Sequence, residues 1–327
     1  MTYRSITAQA HPNIAFIKYW GNQDNALRIP SNGSISMNLA ALSTVTTISI
    51  SKKAGQDSLK INGIPQAGPS LIRTQNYLDN IRAVYDKQVF LSIESSNDFP
   101  IAAGIASSAS AFAALAMATN KFFKLDLMEN EISALARLGS GSACRSVPPG
   151  FTEWKPGTNH EDSFAVSIAD QKHWDLWDCI AVVQSEPKEI TSTQGHSLAN
   201  TSPLQSARVQ DTTRRLEICR NALKSRDFEA FAEVIELDCN MMHAVMMTSN
   251  PSILYWKPAS LKIMQEIRTF RKKGTAAAFT LDAGSNVHVI CEGDAIRETE
   301  ALLRAISGVK NVIKSSVGSG AKIVRAA

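Results

Sequence analysis

Polar and apolar residues alternate along residues 43–51, which read STVTTISIS and are rich in β-branched side chains. Because successive side chains of a strand point to opposite faces of a sheet, this pattern predicts a half-exposed strand. A hairpin is predicted at residues 59–64, where Asn62 and Gly63 form a pair that favours a tight turn between two strands. The first part of the chain therefore contains sheet-forming sequence.

Apolar residues at helical spacing dominate much of the remaining chain. The helices expected from this spacing lie at residues 73–85, 109–123, 129–138, 208–225, 226–247, 259–273 and 296–306. Short apolar runs predict further strands at residues 89–94, 179–184, 276–281 and 287–291, and a loop-rich region at residues 140–157. This mixture of helices and strands predicts an α+β fold.

The character of the chain changes near Glu186, where Ser185-Glu186-Pro187-Lys188 is typical of a link between two domains. The sequence before this link alternates strands and helices, whereas consecutive amphipathic helices follow it. A chain of 327 residues is long enough for about two domains. We therefore expect two lobes, an N-terminal lobe over residues 1–186 and a C-terminal lobe over residues 187–327.

The composition excludes several classes of protein. A net charge of +4, without a basic block that contains aromatic residues, argues against a surface for nucleic acid. Polar residues interrupt the longest alanine-rich stretch at 119–121, and the N-terminus lacks a long apolar run, so we expect neither a membrane span nor a signal peptide. Five widely spaced cysteines, without a Cys-x-x-Cys pair, predict reduced thiols in a cytoplasm rather than a zinc site.

An anion site is predicted at residues 99–112, which read FPIAAGIASSASAF and precede the alanine-rich helix. Gly104 gives the turn its backbone freedom, and Ser107, Ser108 and Ser110 bring hydroxyl groups to the first turn of the helix. Free N–H groups and the positive end of the helix dipole favour a nucleotide phosphate there. The alternative is that these serines only cap the helix, because the segment matches neither the Walker pattern nor the dinucleotide-binding turn.

Four polar residues occur in unusual settings. Lys18 lies in the apolar run NIAFIKYWG, so its ammonium group must either extend to water or meet an anion. Arg145 lies near the end of the Gly/Ser-rich segment GSGSACRS, which could bind a phosphate or a carboxylate. The alternative is that this segment is only a turn. Asp282 follows an apolar strand and precedes a glycine, which fits a catalytic carboxylate or a turn residue. His243 lies in a predicted helix, and we expect it to be a hydrogen-bonded histidine of the core rather than a ligand.

The segments NIAFIKYWG, FPIAAGIASSAS, GSGSACRS and TLDAGSNV occur in this order along the chain. Together they resemble the mevalonate diphosphate decarboxylases, which are members of the galactokinase, homoserine kinase, mevalonate kinase and phosphomevalonate kinase superfamily. The resemblance extends from His11 to about Val289. It includes RTQN at residues 73–76 and STQG at residues 192–195.

This resemblance implies a fold and a reaction. The expected fold is a small-molecule kinase-like one, with an N-terminal lobe like ribosomal protein S5 domain 2, a ferredoxin-like C-terminal lobe, and the active site between them. The expected reaction uses ATP and Mg²⁺ to phosphorylate the tertiary 3-hydroxyl of a 5-phosphorylated mevalonate. Loss of that phosphate together with CO₂ then gives an isopentenyl product.

The resemblance also assigns residues to this chemistry. Asp282 is expected to orient or deprotonate the 3-hydroxyl, Lys18 to neutralise the developing 3-phosphate, and Arg145 to hold the substrate carboxylate. Mg²⁺ is expected to arrive with ATP, with Ser108 as a candidate contact and no other protein ligand. The residues expected at ATP are Ser96, Asn97, Gly104, Ala106, Ser107, Ser108 and Ser110. The residues expected at the substrate are Tyr19, Asn22, Arg73, Ser140, Gly141, Ser142 and Ser192.

The sequence departs from the family pattern at Asn22. In the common pattern a lysine follows KYWG and helps to bind the 5-diphosphate, whereas this chain has a neutral amide there. Because an amide gives a β-phosphate only a weaker hydrogen bond, we expect a preference for mevalonate 5-phosphate. The alternative substrate is mevalonate 5-diphosphate, as in the classical enzymes of the family.

Two rival functions are a plain kinase of the same superfamily and a non-enzymatic descendant of the fold. The segments that contain Arg145 and Asp282 argue against the kinase, and the intact set of catalytic residues argues against loss of activity. The expected partner is a small phosphorylated substrate rather than a nucleic acid or a membrane. A homodimer is implied by the resemblance alone.

Overall fold

The computed structural model describes residues 3–53, 55–99, 107–183 and 190–327. Its strands are β1 (Ser5–Ala10), β2 (Asn13–Ile17), β3 (Asn22–Asp24), β4 (Ile29–Pro30), β5 (Ser34–Asn38), β6 (Thr44–Ile50), β7 (Ser58–Ile61), β8 (Ile64–Pro65), β9 (Leu91–Asn97), β10 (Phe151–Lys155), β11 (Phe164–Ala169), β12 (Leu176–Val182), β13 (Ala277–Thr280), β14 (Val287–Glu292), β15 (Asn311–Ser316) and β16 (Lys322–Ala326).

The helices are α1 (Pro69–Tyr85), α2 (Ser107–Phe123), α3 (Glu129–Gly139), α4 (Ser192–Leu198), α5 (Gln205–Gln210), α6 (Thr212–Ser225), α7 (Phe228–Thr248), α8 (Pro258–Lys272) and α9 (Ile296–Ala305). A 3₁₀ turn at Gly141–Ser146 follows α3 directly. Among the described residues, no helix is long and apolar enough to cross a membrane.

The first sheet forms around the alternating segment of the sequence, which is β6. Its strand order is β16-β1-β6-β9-β7-β8, and α2 packs on β1 and β6. Inward and outward residues alternate along β6, as the sequence predicts. The predicted hairpin is confirmed as β7 and β8, because Asn62 and Gly63 both adopt the positive φ angles, 50° and 78°, that a tight hairpin turn requires.

Two further sheets complete the architecture. One has the order β11-β10-β5-β2, and it packs against α6 and α7. The other has the order β13-β14-β12-β15, and α7, α8 and α9 pack against it. Helix α7 contacts both β2 and β13, so it brings the ends of these two strands together. The protein therefore has the mixed α+β, two-lobed fold that the sequence predicts.

Two expectations for local structure are wrong in part. Residues 140–157 are not only loop, because Phe151 and Trp154 are fully buried and form β10, which pairs with β5. That pairing joins segments more than a hundred residues apart, so local sequence does not reveal it. The helix expected at residues 208–225 is two helices, α5 and α6, which are separated at Asp211.

The division of the chain at residue 186 stays a prediction, because Ser185, Glu186, Pro187 and Lys188 lie outside the described residues. Two strands connect the parts on either side of it. Strand β12 precedes residue 186 but pairs with β14 and β15. Strand β16 is the last of the chain but pairs with β1.

A buried cluster of charges links α5, α6 and α7 to the end of β2. The carboxylate of Asp238 accepts hydrogen bonds from the backbone N–H of Lys18 (2.8 Å) and from Nε of Arg215 (2.8 Å), and Arg208 approaches it at 4.0 Å. Arg215 also donates to Asp211. Arg208, Arg215 and Asp238 are fully buried, and their opposite charges compensate one another where water cannot reach them.

We predict that Asp238→Asn destabilises the protein by about 3–5 kcal/mol, because it removes the only acidic partner that the buried Arg208 has among the described residues and leaves Arg215 with Asp211 alone. Urea unfolding would measure this loss. The matched control is Asp86→Asn at an exposed carboxylate, which should change the free energy of unfolding by less than about 0.5 kcal/mol. Equal unfolding midpoints for the two variants would contradict the prediction.

Candidate active site

Lys18 and Asp282 meet at the centre of the site. Lys18 follows β2 directly and is only 1% exposed, and its Nζ donates to Oδ1 of Asp282 at 2.7 Å. Asp282 comes just after β13, so each residue of the pair lies near the end of a strand. The Lys18 side chain therefore does not extend to water but meets an anion, the second of the two possibilities that the sequence leaves open.

The carboxylate of Asp282 is ionised and accessible. Burial tends to raise its pKa, but the charges of Lys18, His288 and Arg145 outweigh this effect and hold the pKa below its ordinary value of 3.8. The Asp282 side chain is 28% exposed, and Oδ2 has no hydrogen bond to any described residue. This oxygen is free to accept a hydrogen bond from a bound ligand.

A second acid lies behind Asp282. Asp178 of β12 is fully buried, and its Oδ2 lies 2.6 Å from Nδ1 of His288 on the neighbouring β14. Burial raises the pKa of Asp178, although His288 opposes this shift. His288 thus contacts one acidic side chain and acts electrostatically on the other.

Arg145 is buried without a negative partner among the described residues. Its guanidinium group is held by Asn13, Ser34 and Ser36, at distances of 2.6–3.2 Å. These residues belong to β2 and β5, and all of them are neutral. Burial lowers the pKa of Arg145. Because a buried cation with only neutral partners favours an anion, this group suits a carboxylate or a phosphate.

Aromatic rings cover the segment after Lys18. The ring of His196 on α4 stacks on Tyr19 with centroids 4.0 Å apart and also contacts Trp20, while its Nδ1 accepts a hydrogen bond from the backbone N–H of Gly21. Tyr19 also lies against Gly141, where a Cβ atom would be 2.6 Å from Cε1 of the ring. Any other residue at 141 would therefore displace Tyr19.

Two arginines lie at the end of α3, next to this aromatic cluster. Nε of Arg28 donates to the carbonyl of Leu138 at 3.0 Å, and Nε of Arg73 donates to the carbonyl of Gly139 at 2.7 Å. Burial, followed by the charge of Arg28, lowers the pKa of Arg73 to about 10. Neither arginine has an ion pair with a described residue, so this corner is strongly positive.

A cavity of about 190 Å³ opens at the start of α2. Its lining includes Ser107 and Ser108 of α2, Asn97 and Ser95 of β9, and Arg73. Oγ of Ser108 lies 3.1 Å from Oγ of Ser140, the residue that begins the 3₁₀ turn. The cavity therefore extends toward the segment that holds Arg145.

Two of the residues that the sequence predicts at the nucleotide do not line this cavity. Ser96 is exposed, because β9 turns Ser95 and Asn97 toward the cavity and Ser96 away from it. Ser110 is fully buried, and its hydroxyl bonds to Thr44 of the sheet. Gly104 and Ala106 lie outside the described residues.

The predicted substrate residues are mostly brought together. Tyr19, Asn22, Arg73, Ser140 and Gly141 surround the positive corner, and the hydroxyl of Tyr19 donates to Oδ1 of Asn22. The carbonyl of Ser142 accepts a hydrogen bond from Asn13, whereas Ser192 is exposed at the start of α4. Sequence analysis missed Asn13, Arg28, Ser34, Ser36 and His196; Asn13 begins the segment NIAFIKYWG, whereas the other four lie in no motif that marks them.

Comparisons with known proteins agree with this arrangement. Residues 10–165 match the diphosphomevalonate decarboxylase-like N-terminal domain, and residues 179–324 match the mevalonate 5-diphosphate decarboxylase C-terminal domain. The diphosphomevalonate decarboxylase of Candida albicans is 36% identical over 97% of both chains.

Solved structures of the same family have a similar fold. The crystal structure of mevalonate diphosphate decarboxylase from Staphylococcus aureus superposes with a TM-score of 0.93 at 36% identity, over 99% of both chains. A structure of MDDEF in complex with MVAPP, AMPPCP and magnesium has a TM-score of 0.93 at 34% identity, over 99% of this chain and 100% of that one. The chain belongs to the diphosphomevalonate decarboxylase family, within the superfamily that the sequence motifs indicate. It is accordingly classed with the ATP-dependent decarboxylases of the mevalonate pathway.

We predict that Arg145→Lys lowers turnover by about 10²-fold, because one ammonium group cannot replace a planar guanidinium that three neutral residues hold in place. Steady-state kinetics would show the loss in kcat, with a smaller change in the KM for ATP. The control is Arg220→Lys, at an arginine that binds both oxygens of Glu153, and its kinetics should be unaltered. Unchanged kinetics for Arg145→Lys would place Arg145 outside the active site.

Proposed function

We propose that this protein catalyses the ATP-dependent decarboxylation of mevalonate 5-diphosphate, which yields isopentenyl diphosphate, CO₂, ADP and phosphate. The observation that carries this proposal is the arrangement of the Lys18–Asp282 ion pair beside Arg145, a buried cation with no acidic partner among the described residues. A decarboxylase needs both features, a carboxylate facing the hydroxyl that is phosphorylated and a cation for the carboxylate that is lost. Membership of the family supports the same reaction.

The residues present fit ATP. The cavity at the start of α2 offers the hydroxyls of Ser107 and Ser108 beside a helix N-terminus, and its walls include apolar side chains such as Leu59 and Ile93. No cluster of three or more His, Cys, Asp or Glu side chains in the described part of the chain could hold a metal ion. Mg²⁺ would therefore be held by phosphate oxygens together with Ser108. When bound, Mg·ATP supplies the phosphoryl group.

Asp282 and Lys18 would act on the 3-hydroxyl of the substrate. The free Oδ2 of Asp282 accepts the hydrogen bond of the hydroxyl and orients its oxygen. Because the pKa of Asp282 lies below its ordinary value, the carboxylate is a weak base in the free enzyme, which favours an orienting role over full deprotonation. Lys18 neutralises the negative charge that develops at this oxygen.

Arg145 would hold the substrate carboxylate during the second step. The bond between C3 and its oxygen breaks first, and the phosphate leaves with the electron pair. The electrons of the bond between the carboxylate carbon and C2 then form the C2–C3 double bond, and CO₂ is released. Holding the carboxylate in a fixed position favours this cleavage because the breaking bond stays aligned with the empty orbital at C3.

The substrate preference that the sequence predicts has to be corrected. The amide of Asn22 leads to the expectation of a monophosphate, but the comparisons do not support that preference and favour the diphosphate alternative. Charge supports the same choice, because Arg28 and Arg73 lie at the end of α3, close to Tyr19, which hydrogen-bonds to Asn22. Neither arginine has an acidic partner among the described residues. The cation missing at position 22 is thus present elsewhere in the same corner.

Mevalonate 5-phosphate is the second candidate substrate. The observation in its favour is that Asn22 itself remains neutral and is already engaged, since it accepts from Tyr19 and donates to Asn25. A shorter phosphate chain would not need a contact from Asn22.

Compartment and assembly complete the proposal. The five cysteines are free and buried, which supports a reducing cytoplasm. Burial raises the pKa of Cys144 to about 12, so this thiol is unreactive. The homodimer rests on the family resemblance, and sedimentation of the purified protein should give twice the monomer mass if it is correct.

We predict that the wild-type enzyme releases ADP and CO₂ in equal amounts from ATP and 5-diphosphomevalonate, and more slowly from 5-phosphomevalonate. Carboxyl-labelled substrates would report the released CO₂, and a coupled enzyme assay would report ADP. Asp282→Asn should lower both rates by about 10²–10⁴-fold and leave ATP binding intact. ADP without CO₂ would indicate a plain kinase, and faster turnover of the monophosphate would favour the second candidate.

A further inference from the structure

Arg28 lies at a special position in the positive corner. It follows the tip of the β3–β4 hairpin and has a positive φ of 53°, which turns the chain back so that Pro30 pairs with Asn22. Asn22 begins the first arm of this short hairpin, and Arg28 is the last residue of its turn, directly before the second arm. A cation on the same hairpin can serve the region that a cation at position 22 would serve.

The hydrogen bonds of Arg28 hold its guanidinium group next to that of Arg73. The two arginines donate from Nε to consecutive carbonyls, those of Leu138 and Gly139, at the C-terminal end of α3. The negative end of the helix dipole favours cations there. Because only Nε is used in each case, the terminal nitrogens of both side chains have no hydrogen bond to a described residue.

Two cations in close proximity repel each other unless an anion lies between them. Neither Arg28 nor Arg73 has an ion pair in the described part of the chain. The phenol of Tyr19 lies near both, but burial raises its pKa, so it stays neutral and does not balance their charges. Both positive charges therefore remain available to an anionic ligand.

The position of the positive corner indicates which part of the substrate would lie next to the two arginines. Lys18 contacts Asp282 and Arg145 is held by β2 and β5, whereas Arg28 and Arg73 are held at the end of α3, before the 3₁₀ turn that carries Arg145. The two arginines thus lie toward the end of the site away from the reacting carbon, where the phosphate chain on C5 ends. Two guanidinium groups match a group of several anionic oxygens better than one does.

We propose that Arg28 is a specificity-determining residue that binds the β-phosphate of mevalonate 5-diphosphate, supplying the cation that position 22 lacks. This inference rests on the proposed function and names the residue that distinguishes the diphosphate from the monophosphate. Arg73, which lines the cavity at the start of α2, would contact the same phosphate chain.

The experiment measures kcat and KM for 5-diphosphomevalonate and 5-phosphomevalonate with the wild type and Arg28→Gln. For Arg28→Gln we expect the KM for the diphosphate to rise about tenfold or more, the scale of one charge-assisted contact. The kcat should change little, because the contact is made equally in the ground state and the transition state. The KM for the monophosphate should change by less than about threefold.

A double variant separates recognition from a structural role at the end of α3. Asn22→Lys combined with Arg28→Gln should restore at least part of the affinity for the diphosphate, because it returns a cation to the same hairpin. Loss of a structural contact to Leu138 would not be rescued in this way. Arg297→Gln, at an exposed arginine of α9, is the charge-matched control and should behave as the wild type.

The outcomes distinguish the inference from the function on which it rests. If the wild type turns over the diphosphate and Arg28→Gln has an unchanged KM for it, the inference is wrong and the proposed function still stands. Equal losses on both substrates, or no rescue by Asn22→Lys, would also overturn it. A wild type that turns over neither substrate, or the monophosphate alone, would overturn the proposed function itself.

Discussion

The ion pair between Lys18 and Asp282 is the interaction on which the site depends. A buried ammonium group is costly unless an anion compensates it, and the 2.7 Å contact to Asp282 provides that compensation. The pair also requires the ends of β2 and β13 to meet, although more than 250 residues separate them in sequence. Helix α7 contacts both strands, and its residue Asp238 fixes the backbone of Lys18. Fold and chemistry are therefore linked through one pair of charges.

The remainder of the site is a set of cations that neutral groups hold in place. Arg145 is bound by hydroxyl and amide oxygens, and Arg28 and Arg73 are bound by backbone carbonyls. Among the described residues, none of these three has an acidic partner, so their charges stay available to a ligand. The same field, together with burial, lowers the pKa of His196 to about 3, and the ring therefore stays neutral where it stacks on Tyr19. This site is organised for an anionic substrate before the substrate arrives.

Prediction from the sequence succeeded where the signal is local. The alternation at residues 43–51 and the Asn62-Gly63 turn gave β6 and the β7–β8 hairpin, because strand period and turn conformation depend on neighbouring residues alone. It failed in part at β10, whose buried residues become a strand only through pairing with β5. The neutral residue at position 22 is visible in the sequence, but the sequence does not show that folding holds Arg28 and Arg73 at consecutive carbonyls of α3.

The sequence by itself determined the class of fold, the family, and the residues whose chemistry is visible in a motif, namely Lys18, Arg145 and Asp282. Only the tertiary structure decided which charges face one another and which face a ligand. It also decided that Arg28 and Arg73 donate to consecutive carbonyls of α3 and that Ser95, not Ser96, lines the cavity. The physical reason is that residue type and spacing are local properties, whereas the electrostatic environment of a side chain depends on segments that folding brings together.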